Sequence, residues 1–435
     1  MKKIKISPYI KIIIAFISII LIGSIFLVLP ISAKGESLSF VDSLFMSTSA
    51  VCVTGLSVVS NIAKDLTFFG QFVILILMMI GGLGILTFST FFFVIIGSKI
   101  GLTDRFLMRE SWNLDTAKGV IKLVKNIVIA ALIIQFFGSV INYFILLKTF
   151  GAVDAIWISI FQSVSAFNNV GFDILGNSNS MIDFSGNVLL NLSTMFLIVI
   201  GGFGFVSIFD IIKNKRFSKL KISTKIVVLV TPILIVVGAI LIKLSMFSEI
   251  TWLQAFFQSV SSRTAGFASL DMSTINTATY ILIISLMFIG GSPCSTAGGI
   301  KTTTSAVIFI SIFKLTVGKK PTIFKRKISA QTIIKSFSLF TLSIIYILLA
   351  TFCISLFDSA LSIKEILFEV VSAFGTVGFS MGITSGLSTV SKIIIILTMF
   401  FGRLGPLTIM SSMNKNWLND DLQSVDYVEE KIIVG

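Results

Sequence analysis

The 435-residue sequence has no histidine, and only 12% of its residues are charged. Acid–base or metal chemistry usually draws on His or on clustered acids. Without His, and without paired carboxylates in the apolar runs, a membrane-embedded enzyme such as a lipid-modifying transferase is a poor reading. Cysteine is almost as scarce: Cys52, Cys294 and Cys353 lie in or beside apolar segments and make no disulfide framework. No GxxxxGK[ST] occurs, and GGLGIL (Gly81 to Leu86) sits inside an apolar run instead of following a soluble strand, so the chain carries no nucleotide fold of its own. Hydrophobic residues are plentiful, at 55% with a mean hydropathy of +1.02. Too little polar surface remains to cover a soluble globule of this length, which makes this an integral membrane protein.

Eight apolar runs can be drawn, at about 10–30, 68–97, 121–147, 187–212, 222–246, 278–310, 332–357 and 389–411. The longest reach the roughly 20 residues that cross a hydrocarbon core. The first is read as a span and not as a removable leader, being long and lacking a small-residue cleavage site. Segments 1–11, 98–125, 213–225 and 311–335 hold 23 of the 34 Lys and Arg residues, with only Asp104, Glu110 and Asp115 as acids. By the positive-inside rule they face the cytoplasm, two long helices separate each from the next, and both termini lie inside. The net charge of +14 is thus spent on topology and anionic lipid headgroups, and nucleic acid is not expected as a partner.

Each outward excursion holds a polar break, a short helix and a glycine-bearing stretch. Ser39 with Asp42, Thr251 with Gln254 and Ser362 with Glu365 are spaced as helix caps, and Asp154 is expected to cap the second short helix. Helices of about a dozen residues cannot cross a bilayer, so they are expected to be re-entrant. The expected fold is all-α: four units of helix, pore helix, filter loop and helix around a central pseudo-fourfold pore, with eight spans and four re-entrant helices. The units run 1–97, 118–212, 222–316 and 332–413, followed by a cytosolic tail, 414–435.

Four related stretches, SAVCVTGLS from Ser49, SAFNNVGFD from Ser165, SSRTAGFAS from Ser261 and SAFGTVGFS from Ser372, end the short helices. A dehydrated ion needs several oxygens at once, and backbone carbonyls supply them if successive peptides turn the same way, which demands positive φ and therefore glycine. Gly55, Gly171, Gly266 and Gly378 meet that need once per unit. The helix C-termini that feed them also favour a cation. The expected filter comprises Cys52, Val53, Thr54 and Gly55; Asn168, Asn169, Val170 and Gly171; Arg263, Thr264, Ala265 and Gly266; and Gly375, Thr376, Val377 and Gly378. No carboxylate immediately precedes these glycines, and neutral carbonyls suit a monovalent ion better than a divalent one.

Thr376-Val377-Gly378-Phe379 resembles the start of the TVGYG potassium-channel filter, and the fourfold repeat is similar to the Trk/Ktr/HKT superfamily of potassium transporters, nearest the membrane subunit of bacterial Ktr systems. The resemblance spans residues 10–413. It implies potassium as the transported ion, because all four filter positions are Gly; sodium is a candidate second ion, and the sequence leaves open whether it is coupled to transport or modulates it. It further implies a homodimer resting on a separate cytosolic nucleotide-binding ring of the regulator-of-conductance type. Sodium or ammonium translocation, and a secondary transporter of a small solute, are the alternatives.

In the second helices, Ile80-Gly81-Gly82-Leu83-Gly84, Ile200-Gly201-Gly202-Phe203-Gly204, Ile289-Gly290-Gly291-Ser292-Pro293 and Phe401-Gly402-Arg403-Leu404-Gly405 align. Their glycines suit close helix packing. Arg403 is a mid-span charge that must face water, carbonyls or an acid, and it is read as a pore barrier beneath the filter, the alternative being a brace to backbone. Arg263 is expected to brace the filter from behind. The breaker-rich run Gly290, Gly291, Ser292, Pro293, Cys294, Ser295, Thr296, Ala297, Gly298, Gly299, with Lys301 beyond, should interrupt its helix as a loop bordering the pore. The resemblance makes that loop the gate and this the single broken second helix. The acids of the tail, Asp420, Asp421, Asp426, Glu429 and Glu430, are read as a solvated terminus or part of the subunit contact.

Overall fold

The computed structural model describes residues 8–84, 87–88, 119–176 and 180–405. One pattern recurs four times along it: a long helix, a short helix, a loop with left-handed residues, and a second helix. In the first unit the helices are Pro8–Val28, Phe40–Val51 and Phe68–Leu83. In the second they are Val120–Phe150, Ala152–Asn168 and Val188–Phe203. The third has Ile222–Ser245 and Trp252–Ser261, then a second helix split into Thr277–Phe288 and Thr302–Thr316. The fourth has Ala330–Phe357, Ile363–Gly375 and Thr389–Leu404. Among the described residues, the strands are a two-residue hairpin, Thr322–Ile323 against Arg326–Lys327.

The long helices are apolar on nearly every side and expose residues such as Phe136, Phe144, Leu348 and Phe352, as a helix facing lipid does. What seats the short helix inside each of the first three units is small and polar. Gly23, Gly138 and Gly238 leave room for Ser47, Ser163 and Ser259, and a Cβ at any of the three would collide with the serine oxygen. Those hydroxyls donate to Ile20 O, Gln135 O and Ile235 O at 2.7, 2.7 and 2.8 Å. In a dry interior each bond contributes about 1 kcal/mol and fixes the depth of the short helix. Val370 takes the matching place in the fourth unit, fully buried.

The units close into a ring, because each second helix packs on the short helix of the next unit and the fourth packs back on the first. Polar clasps hold three of these seams: Trp157 Nε1 donates to Gln71 Oε1 at 2.7 Å, Tyr280 OH to Lys364 O at 2.8 Å, and Lys392 Nζ to Asp42 Oδ1 at 2.7 Å.

Two expectations change. Ser39, Thr251 and Ser362 cap their helices, but the second short helix starts at Gly151 without a side-chain cap and leaves Asp154 in its first turn. The third unit is not alone in having a broken second helix: Val188–Phe203 turns by 88° into Phe205–Asn214 at Gly204, whose φ is +91°. Glycine removes the Cβ penalty for that turn, and Phe205 N finds a new acceptor in Cys294 O at 2.9 Å. Among the described residues, four helices are long and apolar enough to cross a membrane by themselves, or five if the bent pair is one span. The second helices of units one, two and four are 16 residues long, or about 24 Å at 1.5 Å per residue. The tail 414–435, most of the basic segment 98–125, and the ends of the first and fourth units lie outside the described residues.

Candidate functional site

The ends of the four short helices meet at one place. Gly55, Gly171, Gly266 and Gly378 have φ of +89°, +89°, +74° and +96°. A Cβ on Gly55 would strike Val170 O, one on Gly171 would strike Ala265 O, one on Gly266 would strike Val377 O, and one on Gly378 would strike Thr54 O. Each glycine therefore lies against the residue preceding the glycine of the next loop, in the order one, two, three, four, one. Such a closed cycle exists only if the four loops surround a common axis.

Backbone direction within each loop is set by the helix that precedes it. Thr54 N, Val170 N and Val377 N donate back to Ser49 O, Ser165 O and Ser372 O at 2.8, 3.0 and 2.8 Å, and Ala265 N does so to Ser261 O at 2.9 Å. Ser49 Oγ and Ser372 Oγ also accept from Gly55 N and Gly378 N at 3.0 and 3.1 Å. Amides are consumed by the scaffold, and carbonyls are left to the ring. Two residues before each glycine stands a second left-handed residue: Val53 (φ +61°), Asn169 (+57°), Thr264 (+84°) and Thr376 (+50°). Alternating residues of positive and negative φ turns successive carbonyls toward the same side. The conformation costs an L-residue roughly 1–2 kcal/mol each time, most severely for the β-branched Val53, Thr264 and Thr376, and persists because the surroundings enforce it. The remaining expected filter positions, Cys52, Asn168, Arg263 and Gly375, lie one step further back and are buried.

Outside the ring, an open cavity of about 440 Å³ is lined by the four glycines and by Ser57, Asp173, Ser180 and Ser380 among others. On the opposite side lies the loop between the halves of the third unit's second helix, closed at its neck by pairing of Ile289 with Ile300. Its backbone is tied to the second unit: Ser292 N donates to Gly202 O at 3.0 Å and Thr296 N to Gly201 O at 3.2 Å. Gly298 lies against the Thr376 side chain and Gly299 beside the Gly375 backbone, directly behind the fourth loop. Lys301 Nζ donates to Ala297 O at 2.7 Å, within the loop itself.

Arg403 joins the loop to the first unit. Its guanidinium donates to Thr296 O and Gly81 O, and lies 3.4 Å from Gly82 O. A charge at membrane depth is thereby met by peptide oxygens, with no acid beside it among the described residues. Arg263, only 7% exposed, reaches Gly290 O at 3.4 Å from the third glycine loop. The ring, the loop and the two arginines thus form one contiguous assembly.

Comparison with known proteins places this assembly in a family. Residues 6–420 match the family model TrkH, described as cation transport protein. The chain belongs to the TrkH family of cation transport proteins. Among its relatives is the Ktr system potassium uptake protein B of Bacillus subtilis, 37% identical over 100% of this chain and 98% of that protein. The potassium/sodium uptake protein NtpJ of Enterococcus hirae is 37% identical over 99% and 98%. The fold matches the crystal structure of the potassium transporter TrkH from Vibrio parahaemolyticus with a TM-score of 0.75, at 19% identity, over 96% of this chain and 87% of that one. This TrkH-family chain is accordingly a multi-pass membrane protein built of pseudo-repeats.

Sequence reasoning chose the glycines and included Val53, Asn169, Thr264 and Thr376 beside them, but missed the left-handed backbone of those four residues and the work of the serines. The serine opening the first and fourth stretches was a visible signal, since a hydroxyl six residues before a glycine is placed to hold its amide. The left-handed Val53 and Thr376 carried no signal, because β-branched residues argue against that conformation. The first glycines of the second helices pack closely, as expected, and on a specific target. Gly81, Gly201 and Gly402 lie against Val51 O, Phe167 O and Phe374 O at the short-helix ends, where any side chain would push the glycine loop aside.

Proposed function

We propose that this chain takes up potassium across the cell membrane through the ring of loop carbonyls, with the 290–299 loop as gate. The observation that carries this reading is the cyclic interlock of Gly55, Gly171, Gly266 and Gly378, in a family of cation transport proteins. Four loops of one chain offer peptide oxygens to a single dehydrated cation, and neutral oxygens suit potassium. Relatives named potassium uptake proteins support the choice of ion. In this reading residues 52–55, 168–171, 263–266 and 375–378 form the filter, and Arg403 adds a positive barrier below it while bracing the loop. Trimming the loop would open the path.

The four units at 1–97, 118–212, 222–316 and 332–413 place eight crossings in the membrane, with both termini in the cytoplasm by the distribution of Lys and Arg. The chain works as a homodimer among membrane lipids, on a cytosolic nucleotide-binding ring supplied by a separate subunit of the regulator-of-conductance type. The word system in the relatives' names supports a separate component. A second reading, transport of sodium with or in place of potassium, is favoured by the relative named potassium/sodium uptake protein. Flux into liposomes containing the purified chain separates the two: potassium uptake that sodium competes with only weakly supports the first, and equal uptake of both ions supports the second. No cation flux would refute both.

A further inference from the structure

The four short helices carry, three residues before the serine that opens each filter stretch, Met46, Gln162, Gln258 and Glu369. All four side chains are buried, at 1% exposure or less. All four reach the same target, the segment that leaves the filter on the outer side. Met46 Sδ accepts from Ser57 Oγ at 3.5 Å, Gln162 Nε2 donates to Met181 Sδ at 3.6 Å, and Gln258 Oε1 accepts from Ser269 Oγ at 3.4 Å. Glu369 Oε1 accepts from Thr384 Oγ1, which also lies 3.0 Å from Ser380 Oγ, and Ser380 Oγ accepts from Gly382 N at 2.9 Å.

The fourth contact differs in kind. Three units use neutral, soft or weak contacts, whereas the fourth uses a carboxyl group that begins a chain of hydrogen bonds: carboxyl, Thr384 hydroxyl, Ser380 hydroxyl, Gly382 amide. Ser380 and Thr384 line the outer cavity, two and six residues beyond the filter glycine Gly378. Glu369 Oε2 has no partner. A buried carboxyl is costly to keep, and a Gln or Met of similar size fills the same place in the other three units. Packing alone therefore does not account for it.

We propose that Glu369 is a specificity-determining positioning residue, which fixes the exit of the fourth filter loop through Thr384 and Ser380 and so holds the Gly378 carbonyl layer rigid against the smaller sodium ion. The proposal rests on the reading of the ring as a potassium filter. It makes the fourth loop the stiff member of a ring whose other three loops are more softly held.

Potassium uptake under sodium competition, measured on the full-length chain in liposomes, tests it. Glu369→Gln keeps an acceptor for Thr384 and should retain wild-type selectivity. Glu369→Met, which copies the first unit, should reduce the preference for potassium about fivefold, the factor associated with one lost hydrogen bond. Thr384→Val removes the same link from the other end with little change of volume, and should match Glu369→Met even if that variant folds poorly. Wild-type selectivity in Thr384→Val would overturn the proposal. So would Glu369→Gln being as impaired as Glu369→Met, since the carboxyl would then act by charge and not by position. Absence of potassium selectivity in the wild-type chain would refute the filter reading itself, which these variants do not touch.

Discussion

Replacing Gly378 by serine perturbs two loops at once. The residue sits at φ +96°, so any side chain there meets a backbone penalty of roughly 1–2 kcal/mol. Its Cβ would also lie well inside 3.0 Å of Thr54 O, which belongs to the first unit. To reach van der Waals contact that carbonyl must retreat by ~1 Å. Thr54 N is held by Ser49 O at 2.8 Å, so the peptide pivots instead of translating and its oxygen leaves the ring. An oxygen facing a charged group contributes about 1.5–3 kcal/mol, and if half of that distinguishes potassium from sodium the preference falls by roughly 3- to 12-fold. The assay is uptake of potassium with sodium as competitor, in cells and in liposomes, at matched protein levels. Gly55→Ser should act alike through Val170 O, and the double variant should lose less than the sum, because the damaged layer is shared. Unchanged sodium competition in Gly378→Ser would refute the reasoning that the interlock is a cation filter.

Three further outcomes follow from the same geometry. Arg403→Gln leaves Thr296 O and Gly81 O without their charged donor and removes the positive charge under the ring; potassium flux should rise severalfold with normal expression, and flux at the wild-type level would show the arginine to be a brace only. Deleting residues between Ser292 and Gly299 should raise basal flux and weaken dependence on a regulatory subunit, while unaltered regulation would remove the loop as gate. Lys392→Ala breaks the clasp to Asp42 at the seam between the fourth and first units and should lower thermal stability in detergent by about 1 kcal/mol; exchanging the two charges should restore it, and no recovery would mean that the pair does not hold the seam.

Much of the architecture could be read from the sequence because membrane burial leaves few options. Hydropathy located the long helices, and Ser39, Thr251 and Ser362 announced three short ones through their caps. The fourfold recurrence of Ser and Gly located the ring. Partner-dependent features stayed hidden. Gly204 looked like one more packing glycine, yet it turns its helix by 88° because Cys294 O, almost a hundred residues away, receives the freed amide of Phe205. Asp154 had cap chemistry, but the preceding Gly151 starts the helix one turn earlier. Val53 and Thr376 adopt left-handed backbone against their own preference because the ring as a whole enforces it. Arg403 was recognisable as an anomaly by its charge alone. Its acceptors, contributed by the first and third units, become visible only once the chain has closed on itself.

The central claim is that four loops bind one dehydrated monovalent cation between them. A crystal of the chain grown in rubidium, measured at the rubidium absorption edge, tests this directly. The account predicts anomalous density on the axis enclosed by Gly55, Gly171, Gly266 and Gly378, weakened in Gly378→Ser. Rubidium uptake by the same preparation with no density on that axis would contradict it.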